Sequence, residues 1–201
     1  MTENYPVVIF CYNRPEHLKR TIDALKQNHG ALETVVWFFS DGPASDKDND
    51  AVEAVRNILD NVSGFSNLRV EKSRENKGLA TSVITGVTRV LSESSACIVL
   101  EDDLETSPWF LDFMNEGLAS YADDSEIFSV SGYCPPIPVP EDYWAEAFRF
   151  PRINSWGWAT WRNRWEKVDW EVKDFDRFLK DKKVVKKLSL QGKDLPVMLL
   201  K

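Results

Sequence analysis

Short runs of β-branched and aromatic residues, each followed by a stretch with apolar residues at helical spacing, recur along the first two thirds of the chain. Residues 6–12, 34–40, 68–72, 96–100 and 127–131 have the length and composition of buried strands. Between them lie Leu18, Ile22 and Leu25, then Val52, Val55, Leu59 and Val62. Further on come Val83, Ile84, Val87, Val90 and Leu91, and then Leu111, Met114 and Leu118; each set marks one helix face. The punctuation agrees. Asn13 with Glu16 reads as a helix N-cap, Gly30 as a stop, and Asp41-Gly42-Pro43 as a turn. Asn76-Lys77-Gly78 reads as a turn into a helix, and Pro108 as a helix start. This alternation predicts an α/β fold, a mostly parallel sheet with helices on both faces. Ligands of such sheets bind outside the carboxyl ends of the strands. Tyr12, Asn13, Asp41, Glu101, Asp102 and Asp103 fall at those ends, so the sequence predicts one shared crevice.

After Gly132 the alternation breaks. Pro135, Pro136, Pro138 and Pro140 predict an irregular loop, and Trp156, Trp158, Trp161, Trp165 and Trp170 follow it. Trp158, Trp161 and Trp165 stand at i, i+3 and i+7, the spacing of a helical stripe. Such a stripe serves packing or a wall on which sugar rings stack, and the sequence leaves both open. A helix-like run over 175–190 carries Lys180, Lys182, Lys183, Lys186 and Lys187. It reads as a solvated face or as a peripheral contact with an anionic membrane. The expected organisation is a ligand-binding core over 1–134 and an irregular Trp-rich segment over 135–201. The chain ends inside the apolar run DLPVMLLK, so that segment is expected to continue past Lys201.

Composition removes several classes. At 43% hydrophobic and 28% charged residues the chain can bury a core, which excludes general disorder. A net charge of -7 leaves no broad basic face for nucleic acid. Cys11, Cys97 and Cys134 are odd in number and lack zinc spacing, and no signal-peptide pattern opens the chain; a reducing, cytoplasmic setting is expected. His17 and His29 have no nucleophile partner in sequence, and Gly78 lacks a preceding G-x-G-x-x-G. Glu101, Asp102 and Asp103 are the strongest chemical signal. Three adjacent carboxylates repel one another unless a cation relieves them, and Mg²⁺ or Mn²⁺ suits their oxygens; the alternative is a solvated acidic loop. Asp41 serves a turn or accepts from a nucleobase N–H. Arg14, Arg74 and Lys77 serve a pyrophosphate or the solvent.

The blocks PVVIFCYNRPEHLKRTIDAL, FFSDGP, NKGLATSVITGV and VLEDDLETSPWFLDFMNEGL resemble nucleotide-sugar-dependent glycosyltransferases of the GT-A fold. The first blocks resemble family 2. Residues 99–113, with FSVSGY and SWGWATW, look more like the catalytic core of N-acetylglucosaminyltransferase I. The resemblance implies that Asp103 binds the metal, that Asp102 meets the ribose or the metal shell, and that Glu101 lies near the donor sugar. It implies that Asp41 recognises uracil and that Tyr12, Asn13 and Arg14 meet the nucleotide; Lys77 joins them by its position near a strand end. Trp156, Gly157 and Trp158 would line the donor-sugar and acceptor side. The general base of such enzymes is an acid downstream of SWGW; Asp169, Asp174, Asp176 and Asp194 are the candidates, and none sits in a matching motif. The implied activity is metal-dependent, inverting transfer from a UDP-sugar to a hydroxyl of a glycan or lipid-linked acceptor, at the cytoplasmic face of the inner membrane. A nucleotide-sugar-binding module or scaffold without turnover is the alternative. A nucleotidyltransferase ranks below both, because no Gly-rich activating loop lies near the N-terminus.

Overall fold

The computed structural model describes residues 4–198. The apolar run that closes the sequence extends past the described residues. Two compact units are present. The first comprises the described residues up to Pro135 together with Asn154–Glu166; the second comprises Pro136–Ile153 and the described residues from Lys167 on.

In the first unit the strands are β1 (Val7–Cys11), β2 (Val35–Ser40), β3 (Asn67–Lys72), β4 (Ala96–Glu101), β5 (Ser129–Ser131) and β6 (Trp158–Trp161). The helices are α1 (Pro15–Lys26), α2 (Asn49–Asp60), α3 (Leu79–Leu91), α4 (Phe110–Ser120) and the single turn α5 (Arg162–Trp165). The sheet order is β3-β2-β1-β4-β6-β5. The first four strands pair in parallel, with Val7 beside Val36 and Ile98, whereas β6 runs antiparallel to both β4 and β5.

All five residues of β1 are buried. Strand alternation sends them to two separate cores, the signature of a sheet covered on both faces. Val7, Ile9 and Cys11 pack with Leu18, Leu25, Val55, Leu111 and Met114 of α1, α2 and α4. Val8 and Phe10 pack with Val87, Val90 and Leu91 of α3 and with Trp165 of α5. Burial pushes the Cys11 and Cys97 thiols far up, so both behave as small hydrophobes. The expected α/β sheet, mostly parallel and with helices on both faces, is the observed one.

Local readings needed correction. Trp158 and Trp161 are not a helical stripe. They lie in β6, where Trp161 is buried and donates its indole N–H to the Leu118 carbonyl at 3.1 Å. The pattern at i, i+3 and i+7 arises because the strand ends at Trp161 and one helical turn follows, which sequence spacing cannot separate from a continuous helix. Asn13 does not cap α1. Arg14 holds the N-cap position and Pro15 opens the helix, while the Asn13 amide donates to Asp48 at 2.9 Å.

The second unit carries α6 (Phe175–Lys180), α7 (Lys182–Gln191) and α8 (Leu195–Met198). The expected single helix over 175–190 is split at Asp181, whose carboxylate accepts from the Lys183 and Val184 N–H groups and caps α7. Among the described residues no helix is long and apolar enough to cross a membrane.

Candidate functional site

The chain builds β1, β2 and β3 outward to one side, then crosses back to place β4 against the other side of β1. Such a reversal opens a crevice at the carboxyl ends of the two central strands. Tyr12 leaves β1 and Glu101, Asp102 and Asp103 close β4 at that point. The Tyr12 N–H spans the reversal to Asp102 Oδ2 at 3.2 Å. Asp102 is only 1% exposed, and its main-chain carbonyl accepts from Thr21 Oγ1 at 2.9 Å. A buried carboxylate needs a cation or several N–H donors. Here Arg14 supplies the cation: its guanidinium pairs with Asp102 Oδ1 and reaches Asp103 Oδ2 at 2.8 Å. Burial pushes the Asp102 carboxyl up, against the pull of Arg14. Burial and the Asp103 charge push the half-buried Glu101 up as well.

The donor chemistry of this block fits a hard divalent cation. Mg²⁺ and Mn²⁺ take one or two carboxylates and fill the rest of their shell with phosphate oxygens and water. The Asp103 side chain is 37% exposed at the crevice, and one of its oxygens takes the Arg14 contact. Among the described residues no group of three or more acidic, histidine or cysteine side chains forms a complete protein cage.

Asp41, 8% exposed, does something that its sequence position does not announce. Its carboxylate accepts from the Gly42 and Lys77 N–H groups at 2.9 Å and from the Gly78 N–H at 2.9 Å. The Asn76 amide donates to the Gly42 carbonyl at 2.8 Å. The two turns DGP and NKG are thus halves of one interlock. Gly42 is required by close approach: a Cβ there would lie 2.5 Å from the Glu75 carbonyl carbon. Arg56 of α2 clamps the same corner, donating to the Ser73 carbonyl at 2.5 Å and the Asp41 carbonyl at 3.3 Å. Asp41 and Lys77 also border a small cavity of about 80 Å³, with Ser73, Ser82 and Thr85. Tyr12 and Asn13 fasten the neighbouring loop, the former by accepting from the Ala44 N–H at 2.9 Å. Sequence reasoning missed Arg56 and Asn76. The signal for Arg56 was a cation one residue past the buried Val55 on an otherwise apolar face.

On the other side of β4, antiparallel pairing brings the start of β6 to the same sheet edge: Val99 faces Trp158, so Gly157 and Trp156 lie level with the end of β4. Gly157 has φ +69° and accepts from the Gly132 N–H at 2.8 Å. Trp156 is 54% exposed and meets Tyr133 edge-on, ring centres 4.6 Å apart. Trp158 differs from its neighbour. It stacks on Trp165 at 5.8 Å and packs with the α3-side core. The structure thus gathers Tyr12, Arg14, Asp41, Lys77, Glu101, Asp102, Asp103, Trp156 and Gly157 along one sheet edge.

The four acids considered as a base all lie in the second unit. Asp169 accepts from the Glu171 and Lys173 N–H groups, which hold its carboxyl below the usual range. Asp194 makes a two-point pair with Arg152, at 2.9 and 2.7 Å, and is lowered by it. Asp174 stands at the N-cap of α6 without a capping bond, and Asp176 in its first turn.

Comparison with solved structures returns matches at low identity. The mannosyltransferase PcManGT from Pyrobaculum calidifontis, solved with GDP-Man and Mn²⁺, is 15% identical with a TM-score of 0.48, covering 81% of this chain and 46% of that one. TarS of S. aureus is 15% identical with a TM-score of 0.42, covering 60% of this chain and 20% of that one. The 4-diphosphocytidyl-2C-methyl-D-erythritol synthase of Anaerococcus prevotii is 13% identical with a TM-score of 0.49, covering 89% and 86%. The chain thus spans less than half the length of PcManGT and of TarS. The family comparison is more specific: the model for Glycosyl transferase family 2 matches residues 7–180, from the first strand through the last residue of α6, and the chain belongs to that family.

Proposed function

We propose that the chain binds a UDP-sugar in the crevice at the β1/β4 reversal and transfers its sugar, with inversion, to a hydroxyl of a glycan or lipid-linked acceptor. The observation that carries this reading is the convergence of Arg14, Asp41, Lys77, Asp102 and Asp103 at one sheet edge. In this reading Asp103 holds Mn²⁺ or Mg²⁺ together with the diphosphate. When bound, that ion supplies charge neutralisation for the departing nucleotide. Asp102, fixed by Tyr12 and buried, orients the ribose side. Asp41 meets the N3–H of uracil while keeping its loop closed. Trp156 offers an exposed aromatic face to a sugar ring. Glu101 lies on the donor-sugar side, and the base that deprotonates the acceptor hydroxyl comes from Asp169, Asp174, Asp176 or Asp194.

Calorimetry with UDP tests this. We expect binding that Mn²⁺ strengthens, and loss of that enhancement in Asp103→Ala; equal affinity with a chelator present overturns the metal role. One observation favours a second reading, donor binding without turnover. Asp169 and Asp194 already commit carboxylate oxygens to protein partners. Slow release of free sugar from the donor separates the two, since only a competent transferase uses water as an acceptor.

A further inference from the structure

We propose that Arg14 is an exchangeable internal cation. It holds the acidic block closed when no metal is present, and moves from Asp103 to the diphosphate when metal and nucleotide enter. This inference rests on the metal reading of Asp103 given above.

The argument begins with asymmetry between the two carboxylates that Arg14 joins. Asp102 is 2% exposed in its side chain and has a second fixed partner in the Tyr12 N–H. It cannot lose all compensation without leaving a buried charge, a strongly destabilising state. Asp103 is 37% exposed, and the Arg14 side chain 43% exposed. That contact is therefore partly screened and weak. The planar fork of an arginine spans two carboxylates at once, which the compact ammonium of a lysine does not. Arg14 stands at the N-cap of α1, three positions after Cys11 ends β1. Its stem is anchored while its head faces the crevice.

A divalent cation that takes Asp103 would meet the Arg14 charge at the same carboxylate, one oxygen of which Arg14 already holds. Two cations sharing one half-exposed carboxylate repel, so metal entry favours release of the Asp103 arm. The Asp102 arm stays, because its burial demands it. The released N–H groups then face the crevice, where a diphosphate brings new acceptor oxygens for charge-assisted hydrogen bonds. The same side chain thus opposes metal binding in the empty site and supports it once nucleotide is present. Opposite signs are the mark of this exchange. A purely structural Arg14 would not produce them.

The test is Mn²⁺ titration followed by electron paramagnetic resonance, on the full chain, with and without UDP. Arg14→Met should bind Mn²⁺ alone about two- to fivefold more tightly, the range of a part-exposed ion pair. It should bind UDP with Mn²⁺ about fivefold or more weakly, having lost a charge-assisted donor. Arg14→Lys keeps the charge beside Asp102 and serves if the methionine variant fails to fold; it should shift both quantities in the same directions by less. Metal affinity that stays equal or falls in both variants overturns the exchange, and so does unchanged UDP affinity. Asp103→Ala separates this failure from that of the underlying reading. If wild-type Mn²⁺ binding survives Asp103→Ala, the metal assignment itself is wrong. If it is abolished there but unmoved at Arg14, only the exchange is wrong.

Discussion

The two units of this chain are stabilised by different means. In the first, the sheet residues Val7, Val8, Ile9, Val36, Phe38, Ile98 and Val99 are essentially inaccessible, and helices cover both faces. In the second, none of the described residues is buried, although it carries Trp144 at 92% exposure and Phe150 at 60%. Its order rests on exposed polar contacts: the Arg152–Asp194 pair, the Asp181 cap of α7 and the Asp169 turn. Apolar burial is worth about 25 cal/mol per Å², whereas exposed ion pairs contribute about 0–1 kcal/mol each. The sheet edge at the β1/β4 reversal, built on the first unit, is therefore pre-organised. The second unit holds every acid considered as a base, and it has little local stability of its own.

Limited proteolysis offers the most direct way to break this contrast. Cleavage requires local opening, and opening free energies run from near zero in poorly buried segments up to the global value in a core. Thermolysin should cut within residues 136–153 and 167–198 at least about 10³-fold faster than within the sheet unit, a gap of roughly 4 kcal/mol in opening free energy. Mass spectrometry of early products reads the sites. Simultaneous cleavage in both units would show that the second unit shares the stability of the first.

The contrast sharpens if the second unit serves a surface rather than a core. Lys182, Lys183, Lys186 and Lys187 recur at i, i+1, i+4 and i+5 of α7 and are all exposed, while Val185 and Leu188 on the other side are half-buried. Leu190 stands 79% exposed beside the lysines. This face belongs to a chain whose net charge is -7, so any attraction to an anionic bilayer would be local to it. Each lysine near such a surface contributes about 1 kcal/mol. Replacing all four by Gln should lower partitioning onto phosphatidylglycerol vesicles by about a thousandfold at low salt, with no partitioning onto phosphatidylcholine by either protein. Equal sedimentation of the wild type and the variant with anionic vesicles would assign the lysines to solvation alone.

How much of this was legible in the sequence follows the same division. The strands with β-branched runs stand where their composition places them, because a strand buried on both faces has a strong and local signature. Trp158 and Trp161 were misread because large apolar residues three apart fit a helix as well as the end of a strand joined to a turn, and only pairing with Ala96 and Val99 decides. Asp41 was legible as a turn residue and, through family resemblance, as a ligand residue. Its hold on Lys77 and Gly78 was not legible, since a contact across 36 residues leaves no periodicity. The same holds for Arg14. Its nearness to Asp103 depends on β1 and β4 being neighbours, which strand order alone creates. Polar interlocks are encoded by topology, and topology is the part of a fold that spacing expresses least.

Two glycines give the finest comparison between the units. At Gly42 an added Cβ would meet main chain, 2.5 Å from the Glu75 carbonyl carbon and 2.9 Å from the Arg74 oxygen. At Gly192 it would meet side-chain ends, 2.7 Å from Asp194 Oδ1 and 2.8 Å from Arg152 Nη1. Crowding is similar in distance and different in consequence. Backbone in the first unit is tied by Asp41, Asn76 and Arg56, so relief at Gly42 must strain or open the interlock. The side chains around Gly192 are partly exposed and can rotate away. Gly192 also has extended backbone, which alanine accepts. Gly42→Ala should therefore destabilise by about 2–3 kcal/mol, seen as a fall in Tm of roughly 6 °C. Gly192→Ala should stay within about 0.5 kcal/mol of the wild type. Thermal melts of both variants, followed by circular dichroism, decide it. A Gly42→Ala protein as stable as the wild type would mean that the two loops part easily. The corner at Asp41 would then be no more fixed than the second unit, none of whose described residues is buried.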